Sequence, residues 1–159
     1  AWGSCYNVNL DDLMNVTVNA LKAGYTVAWG ADVSEKGFNF RDGIAIVPED
    51  ISTVEVKGRD NKNFSDAGAD KVSNAFLEPV KELEITAEIR QAGYDNKTTT
   101  DDHGMHIVGL YEDQTGKNFF LVKNSWGSEN FPKGYFYVSE NYFKYKTINT
   151  MPQTTLSNF

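Results

Sequence analysis

Residues 103–139 read HGMHIVGLYEDQTGKNFFLVKNSWGSENFPKGYFYVS and contain three β-prone runs separated by turn residues. The runs at 105–113, 117–126 and 134–140 are rich in aromatic and β-branched residues, which favour strands. Between the first two runs, Asp113-Gln114-Thr115-Gly116 has the composition of a hairpin turn. This stretch therefore predicts antiparallel strands, with polar residues at the strand ends.

An amphipathic helix is predicted upstream of these strands, over residues 10–23. Asn9 and Asp12 resemble a helix start, Gly24 supplies a stop, and apolar residues recur between them at helical spacing, namely Leu13, Val16, Ala20 and Leu21. A short strand is predicted at 25–30. A helix that precedes antiparallel strands indicates an α+β domain with a barrel-like sheet.

The region between these elements has weaker patterns. Residues 31–43 indicate a loop, and the apolar run 44–47 ends at Pro48. Residues 57–70 are polar and predict a surface excursion. A short helix ending near Pro79 is predicted within 71–80, and residues 82–92 indicate a weak helix or an extended segment.

Length and composition limit the class of protein. The 159 residues, 40% of them apolar and 13% aromatic, predict one domain over 1–159. The sequence has 15 Lys and Arg and 22 Asp and Glu, and this acidic balance argues against nucleic acid or an anionic membrane as partner. No apolar run is long enough for a membrane span. The start AWGSCYN has no signal-peptide pattern, but this says little about export if the chain is a fragment.

Cysteine and histidine are scarce. The single Cys5 excludes an internal disulfide and a multi-cysteine metal site. His103 and His106 lie three residues apart without an HExxH or CxxC partner, so neither a metal nor a cofactor is expected. By the two-residue period of a strand they face opposite sides, and His106 is interpreted as structural or solvent-facing.

His103, Asn124 and Trp126 form a candidate site for thiol chemistry. A thiolate nucleophile needs a base for its proton, and the base needs a third group that fixes its tautomer. A hairpin about Gln114 and Thr115 would bring His103 and Asn124 near the same end of adjacent strands. Trp126 could then shield their hydrogen bond from water.

DHGMHIVGL, FFLVKNSWG and KGYFYVS together resemble the His and Asn half of papain-type cysteine peptidases. The His, the Gly at 109, the NSW and the following Gly134-Tyr135 occur in the family's order. The resemblance implies a papain-like fold and hydrolysis of peptide substrates. It also implies that His103 is the catalytic His, Asn124 the catalytic Asn, and Trp126 the residue that covers their contact.

A narrower resemblance, to the bleomycin hydrolase and aminopeptidase C branch, rests on Tyr6-Asn7-Val8, VAWGADVS (27–34), TTDDHGM (99–105) and SENYF (139–143). It implies trimming of peptides from the N-terminus, a ring-shaped homo-oligomer and a cytoplasmic location. In that branch this segment follows a helical lobe that bears the nucleophile. The branch's C-terminus enters the cleft, but the tail after Ile148 has no clear match here.

Cys5 lies in Gly3-Ser4-Cys5-Tyr6, which matches most of the signature around the papain-type nucleophile. However, it precedes His103 by 98 residues and Asn124 by 119, whereas the family spacing is roughly 130 to 150. It also lies before the predicted helix start, and a reactive cysteine is expected at a helix N-terminus. The nucleophile is therefore expected outside this chain, as is the family's oxyanion-hole Gln, and the chain alone is expected to be inactive.

Two alternatives remain open. The chain could be a minimal peptidase that uses Cys5 as its nucleophile. It could also be a non-catalytic binding or structural module that kept a peptidase-like barrel.

Overall fold

The computed structural model describes residues 5–57 and 69–152. A seven-stranded sheet has the strand order β2-β3-β8-β7-β6-β1-β9, and β4 and β5 form a separate two-stranded ladder. The strands are β1 (Val27–Ala31), β2 (Phe38–Asn39), β3 (Ile44–Ala45), β4 (Glu55–Lys57), β5 (Asp70–Val72), β6 (His103–Glu112), β7 (Asn118–Lys123), β8 (Tyr135–Ser139) and β9 (Thr147–Pro152). The helices are α1 (Leu10–Lys22), α2 (Ala87–Asp95) and α3 (Glu140–Lys146). This arrangement confirms the predicted α+β class, and the described residues contain no helical lobe.

Each helix begins at a polar N-cap. The side chain of Asn9 accepts from the backbone N–H of Asp12 at the start of α1, as the sequence indicated. Thr86 caps α2 and Ser139 caps α3 in the same way. After α1, Gly24 adopts φ +85°, a conformation that favours glycine and ends the helix. None of the described helices is long and apolar enough to cross a membrane.

The central strands bury one face against the α1 side of the molecule. β6 lies between β1 and β7 and pairs with both in antiparallel register. Alternate residues of β1 are buried, with Trp29 and Val27 opposite Met105 and Ile107 of β6. Because strand side chains alternate, His103 lies on this same face at the first position of β6.

The loop between β6 and β7 is the predicted hairpin turn. It spans residues 113–117, with the Asp113 N–H donating to Lys117 O and Gly116 at φ +84°. A bulge between Ile107 and Gly109 shifts the register by one residue. The sequence predicted the hairpin, but it contained no clear signal for this shift.

The weaker predictions had mixed outcomes, and one of them was wrong. The helix predicted within 71–80 is instead the end of β5 followed by a single 3-10 turn at Asn74–Phe76. In this segment Ser73 accepts from the backbone of Ala75, a local side-chain bond that competes with a longer helix. Within 82–92 a helix does form, but it begins only after the cap Thr86 and continues to Asp95. The predicted excursion at 57–70 lies mostly outside the described residues.

The end of the described chain adds two elements that had not been predicted. α3 follows β8 directly, and β9 then pairs with β1. α3 buries Tyr142 and Phe143 in the main core. As a result, β1 lies inside the sheet, between β6 and β9.

Candidate active site

His103 and Asn124 are in hydrogen-bond contact. His103 Nε2 lies 2.7 Å from Asn124 Oδ1, which also accepts the backbone N–H of Ser125 at 2.7 Å. Because a backbone N–H can only donate, the Asn124 atom that it meets is the amide oxygen. An amide oxygen only accepts, so the hydrogen of a neutral His103 ring is on Nε2. The other nitrogen, Nδ1, is then the basic one and can take a proton.

Asn124 is held by the loop that follows β7. Its backbone N–H donates to Gly134 O at 3.0 Å, and its side chain is 4% exposed. Gly134 has φ +79°, and a Cβ there would lie 2.9 Å from Lys123 Nζ. The glycine in the sequence motif therefore permits the turn that fixes Asn124.

The Asn124 side chain is only partly satisfied. Its Nδ2 is buried, and no hydrogen-bond partner for it occurs in the described part of the chain. A buried donor without a partner costs about 1–3 kcal/mol. The Asn124 amide therefore accepts two hydrogen bonds through Oδ1 and leaves its Nδ2 unsatisfied among the described residues.

Trp126 packs against the imidazole of His103. The two ring centroids are 4.7 Å apart and the ring planes are inclined by 31°. Phe38 and Phe40 contact the indole edge to face, at 5.8 Å and 5.3 Å. Trp126 remains 38% exposed, so it covers one side of the His103–Asn124 pair and faces solvent elsewhere.

An open cleft of about 580 Å³ adjoins the pair. His103, Asn124, Ser125, Asp101 and Gly104 contribute to its lining. Gly104 has open space where a side chain would be, so the strand backbone beside His103 is accessible. An extended polypeptide could therefore approach the imidazole along this cleft.

Cys5 does not line this cleft. It is exposed and lies five residues before Leu10, the first residue of α1. It therefore does not lie at a helix N-terminus, where a reactive cysteine is expected. The described structure brings His103, Asn124 and Trp126 together and leaves Cys5 outside the group.

His106 lies on the opposite face of β6 from His103, as the strand period indicated. Its Nε2 is 2.8 Å from the Thr26 hydroxyl, and the residue is exposed. Within residues 5–57 and 69–152, no group of three His, Cys, Asp or Glu side chains is arranged to hold a metal ion.

Asp102, which is exposed on the loop before His103, has specific hydrogen-bond partners. Its oxygens accept the backbone N–H of Val33 at 2.9 Å and the Ser34 hydroxyl at 2.5 Å. Asp102, immediately before His103, is thereby hydrogen-bonded to the two residues Val33 and Ser34 shortly after β1. The sequence placed Asp102 beside His103 but contained no sign of partners about 70 residues away.

Asp32 is a buried carboxyl group behind the site that the sequence did not indicate. Its side chain accepts from Ser34 N–H and Thr100 N–H, at 2.9 Å and 2.8 Å, and the residue is 2% exposed. Burial is the main cause that raises the pKa of Asp32 to about 6, and the Thr100 hydrogen bond opposes it. The charged groups that act on it are Glu35 and Asp102, which raise the pKa, and Lys146, which lowers it.

Replacing Asp32 with asparagine is expected to change how stability depends on pH. The folded protein keeps the Asp32 proton up to about pH 6, whereas an ordinary Asp releases it near 3.8. The free energy of unfolding of the wild type therefore falls by about 2 to 3 kcal/mol as pH rises through this window, because the unfolded chain binds fewer protons. Asp32→Asn lacks this component.

The measurement is urea unfolding of both proteins at pH 4, 5, 6 and 7. The variant should gain stability relative to the wild type as pH rises, with no further gain above about pH 7. A difference that stays constant from pH 4 to pH 7 would contradict the raised pKa of Asp32.

The chain matches part of two cathepsins. It is 42% identical over 40 residues to cathepsin L of Sarcophaga peregrina, a match over 25% of this chain and 12% of that protein. Cathepsin L1 of Drosophila melanogaster is also 42% identical over 40 residues, or 25% of this chain and 11% of that protein. The matched segment is therefore a small part of both relatives.

A solved structure has a similar fold. The crystal structure of PepW from Lactobacillus rhamnosis HN001 superposes on 89% of this chain with a TM-score of 0.56 and 22% sequence identity. The superposition covers 26% of the PepW chain. At this identity the likeness supports the fold, and the chain spans about a quarter of PepW's length.

The strongest comparison is with a family model that covers most of the sheet and the site. The model described as papain family cysteine protease matches residues 55–156, which is more than half of the chain and includes His103, Asn124 and Trp126. The chain belongs to the papain family of cysteine proteases.

Proposed function

We propose that this chain is the His- and Asn-bearing part of a cysteine aminopeptidase that resembles aminopeptidase C and bleomycin hydrolase. The observation that supports it most directly is the 2.7 Å contact between His103 Nε2 and Asn124 Oδ1, with Trp126 packed on the imidazole. The contact fixes the tautomer that leaves His103 Nδ1 as the basic nitrogen. In this proposal His103 is the general base and acid, and Asn124 is the residue that orients it.

The proposed reaction moves one proton out and back. His103 Nδ1 takes the proton of a cysteine thiol, and the sulfur attacks the peptide carbonyl carbon. Asn124 Oδ1 accepts from Nε2–H throughout and stabilises the imidazolium. The imidazolium then returns the proton to the leaving amine as the C–N bond breaks. Water hydrolyses the remaining thioester with His103 again acting as base.

The nucleophile is proposed to lie on polypeptide outside this chain. Cys5 does not line the cleft beside His103, and it precedes His103 by 98 residues, less than the family spacing of roughly 130 to 150. Both observations favour a second segment that supplies the thiol. We use "complete enzyme" for this chain together with that segment.

The aminopeptidase branch rests on the motifs VAWGADVS (27–34), TTDDHGM (99–105) and SENYF (139–143). The first two contain the Asp32 and Asp102 contacts, and the third forms the start of α3. Trimming of peptides from the N-terminus, a homo-oligomer and a cytoplasmic location are part of the same proposal.

The complete enzyme is expected to hydrolyse peptides that have a free amino terminus and to release one residue at a time. The same peptides with an acetylated amino terminus should be cleaved at least about 10²-fold more slowly, since one lost charged contact is worth a few kcal/mol. The products are followed by mass spectrometry. Equal cleavage of both peptides would support peptidase activity but contradict aminopeptidase specificity. Cleavage of neither peptide would favour a binding module.

Cys5→Ser is expected to leave the activity of the complete enzyme within about 2-fold, because Cys5 makes no part of the cleft. A thiol-directed epoxide incubated with this chain alone should give no fast adduct on Cys5, measured by intact mass. His103→Gln is the matched comparison, since a nucleophilic Cys5 would react in a His103-dependent way. A fast adduct that the His103 variant abolishes would overturn the split site and favour a minimal enzyme.

A further inference from the structure

The chain reaches His103 through a segment without helix or strand. α2 ends at Asp95 and β6 begins at His103. We call residues 98–102 the approach segment. His103 is the first residue of β6, and its own ladder partner is Ala31. Strand pairing therefore holds the backbone of His103 on the β1 side only. The approach segment before it is held by other contacts.

Asp32 holds the middle of the approach segment. Its Oδ2 accepts the Thr100 N–H at 2.8 Å. Asp32 is itself fixed at both backbone atoms, since its N–H donates to Lys146 O and its carbonyl accepts from Tyr142 OH. The carboxylate is therefore a rigid acceptor rather than a mobile surface group.

Lys146 holds the start of the approach segment. Its Nζ donates to Thr98 O and to the Thr99 hydroxyl, each at 3.0 Å. It also pairs with Glu35 at 2.5 Å, and its side chain is 2% exposed. These three contacts match the three N–H groups of a lysine ammonium. A buried ion pair adds little net stability compared with apolar residues, so its contribution here is to geometry.

We propose that Asp32 and Lys146 are positioning residues, which fix the approach segment so that the His103 ring stays on Asn124 Oδ1. Neither side chain is hydrogen-bonded to His103, and each acts through the backbone that leads to it. The consequence for catalysis rests on the proposed function, but the positioning of the ring does not.

The test compares Lys146→Met and Asp32→Asn with a matched control, Lys117→Met. Lys117 also bonds a backbone carbonyl, Val80 O at 2.9 Å, and a buried carboxylate, Glu82 at 3.0 Å. It lies in the β6–β7 loop, at the opposite end of β6 from His103. The control therefore removes similar contacts without touching the approach segment.

The first readout is solvent exchange of the His103 Nε2–H, measured by NMR on the ¹⁵N-labelled 159-residue chain. Lys146→Met and Asp32→Asn should each speed this exchange by about tenfold or more, because the ring leaves Asn124 more often. Lys117→Met should change it by less than about twofold. Urea unfolding of the same samples gives the stability of each variant.

The second readout is the kinetics of the complete enzyme. Lys146→Met should lower kcat by about tenfold with KM within about twofold, since misplacement affects the transition state more than binding. If Lys146→Met does not fold, Thr99→Val removes one acceptor of the ammonium with little change in shape, and it should speed the Nε2–H exchange in the same direction.

The positioning role would be overturned if the Nε2–H exchange were unchanged both in Asp32→Asn and in Lys146→Met, or in Thr99→Val where Lys146→Met does not fold. It would also be overturned if the exchange rose equally in Lys117→Met, because this would follow general stability. If the wild-type complete enzyme cleaves no peptide while the exchange rates differ as expected, the proposed function fails and the positioning role stands. If His103→Gln abolishes cleavage but Lys146→Met and Asp32→Asn change neither readout, only the positioning role fails.

Discussion

Replacing His103 with glutamine is expected to lower kcat/KM of the complete enzyme by about 10⁴-fold or more, with KM little changed. Glutamine retains an amide N–H that can reach Asn124 Oδ1, so packing under Trp126 is largely kept. It has no group that can take a thiol proton at neutral pH. The loss would therefore report the missing base rather than a collapsed site.

His106→Gln is the matched control, because the chain has two histidines and both lie on β6. His106 lines the same cleft, but its ring bonds Thr26 rather than Asn124, so its replacement should change kcat by less than about threefold and confine any further effect to KM. Steady-state kinetics on a peptide substrate measure both variants. A fall of only a few fold for His103→Gln would remove His103 from the reaction and favour a non-catalytic module.

Trp29→Ala is expected to lower the free energy of unfolding by about 3 to 5 kcal/mol, the largest stability effect that we predict. The indole is 1% exposed on β1, next to the edge strand β9, and its Nε1–H donates to Thr147 Oγ1 at 2.8 Å. It also contacts the Phe143 ring at a centroid distance of 5.8 Å. The substitution leaves a cavity where β1 meets β9, and the Thr147 hydroxyl loses the indole N–H but still donates to Phe143 O.

Urea and thermal unfolding followed by circular dichroism measure this loss, and Tm should fall by roughly 10 °C. Trp126→Ala is the comparison, because Trp126 is 38% exposed and packs on the His103 imidazole. It should cost about 1 to 2 kcal/mol. Equal losses for the two tryptophans would contradict the division between a structural indole in the sheet and one that covers the His103–Asn124 pair.

The predictable parts of the fold are those with local causes. The Asn9 cap, the apolar spacing over 10–23 and Gly24 specify α1 almost to the residue. The aromatic runs after His103 specify β6, β7 and β8, and the DQTG turn joins the first two. Each of these signals acts over a few residues, so the order of residues contains it.

The wrong and missing predictions concern elements that are short or that form only against other parts of the fold. The 3-10 turn at Asn74–Phe76 and the two-residue strands β2 and β3 are too short for a periodic pattern. β9 pairs with the free edge of β1. α3 is capped by Ser139, and its residues Tyr142 and Phe143 pack in the main core. Their stability comes from partners that lie far away in the chain.

The same division applies to the site. The sequence by itself determined the papain-type residue types and their order, that is His103, Asn124 and Trp126, and it indicated that the spacing from Cys5 is wrong for a nucleophile. Only the tertiary structure decided which atoms meet: Nε2 on Oδ1, Phe38 and Phe40 around Trp126, and Asp32 and Lys146 behind the approach segment. The reason is physical: a buried charge or amide becomes stable only when folding brings its partners within about 3 Å, and a linear pattern of residues does not specify which distant groups will do so.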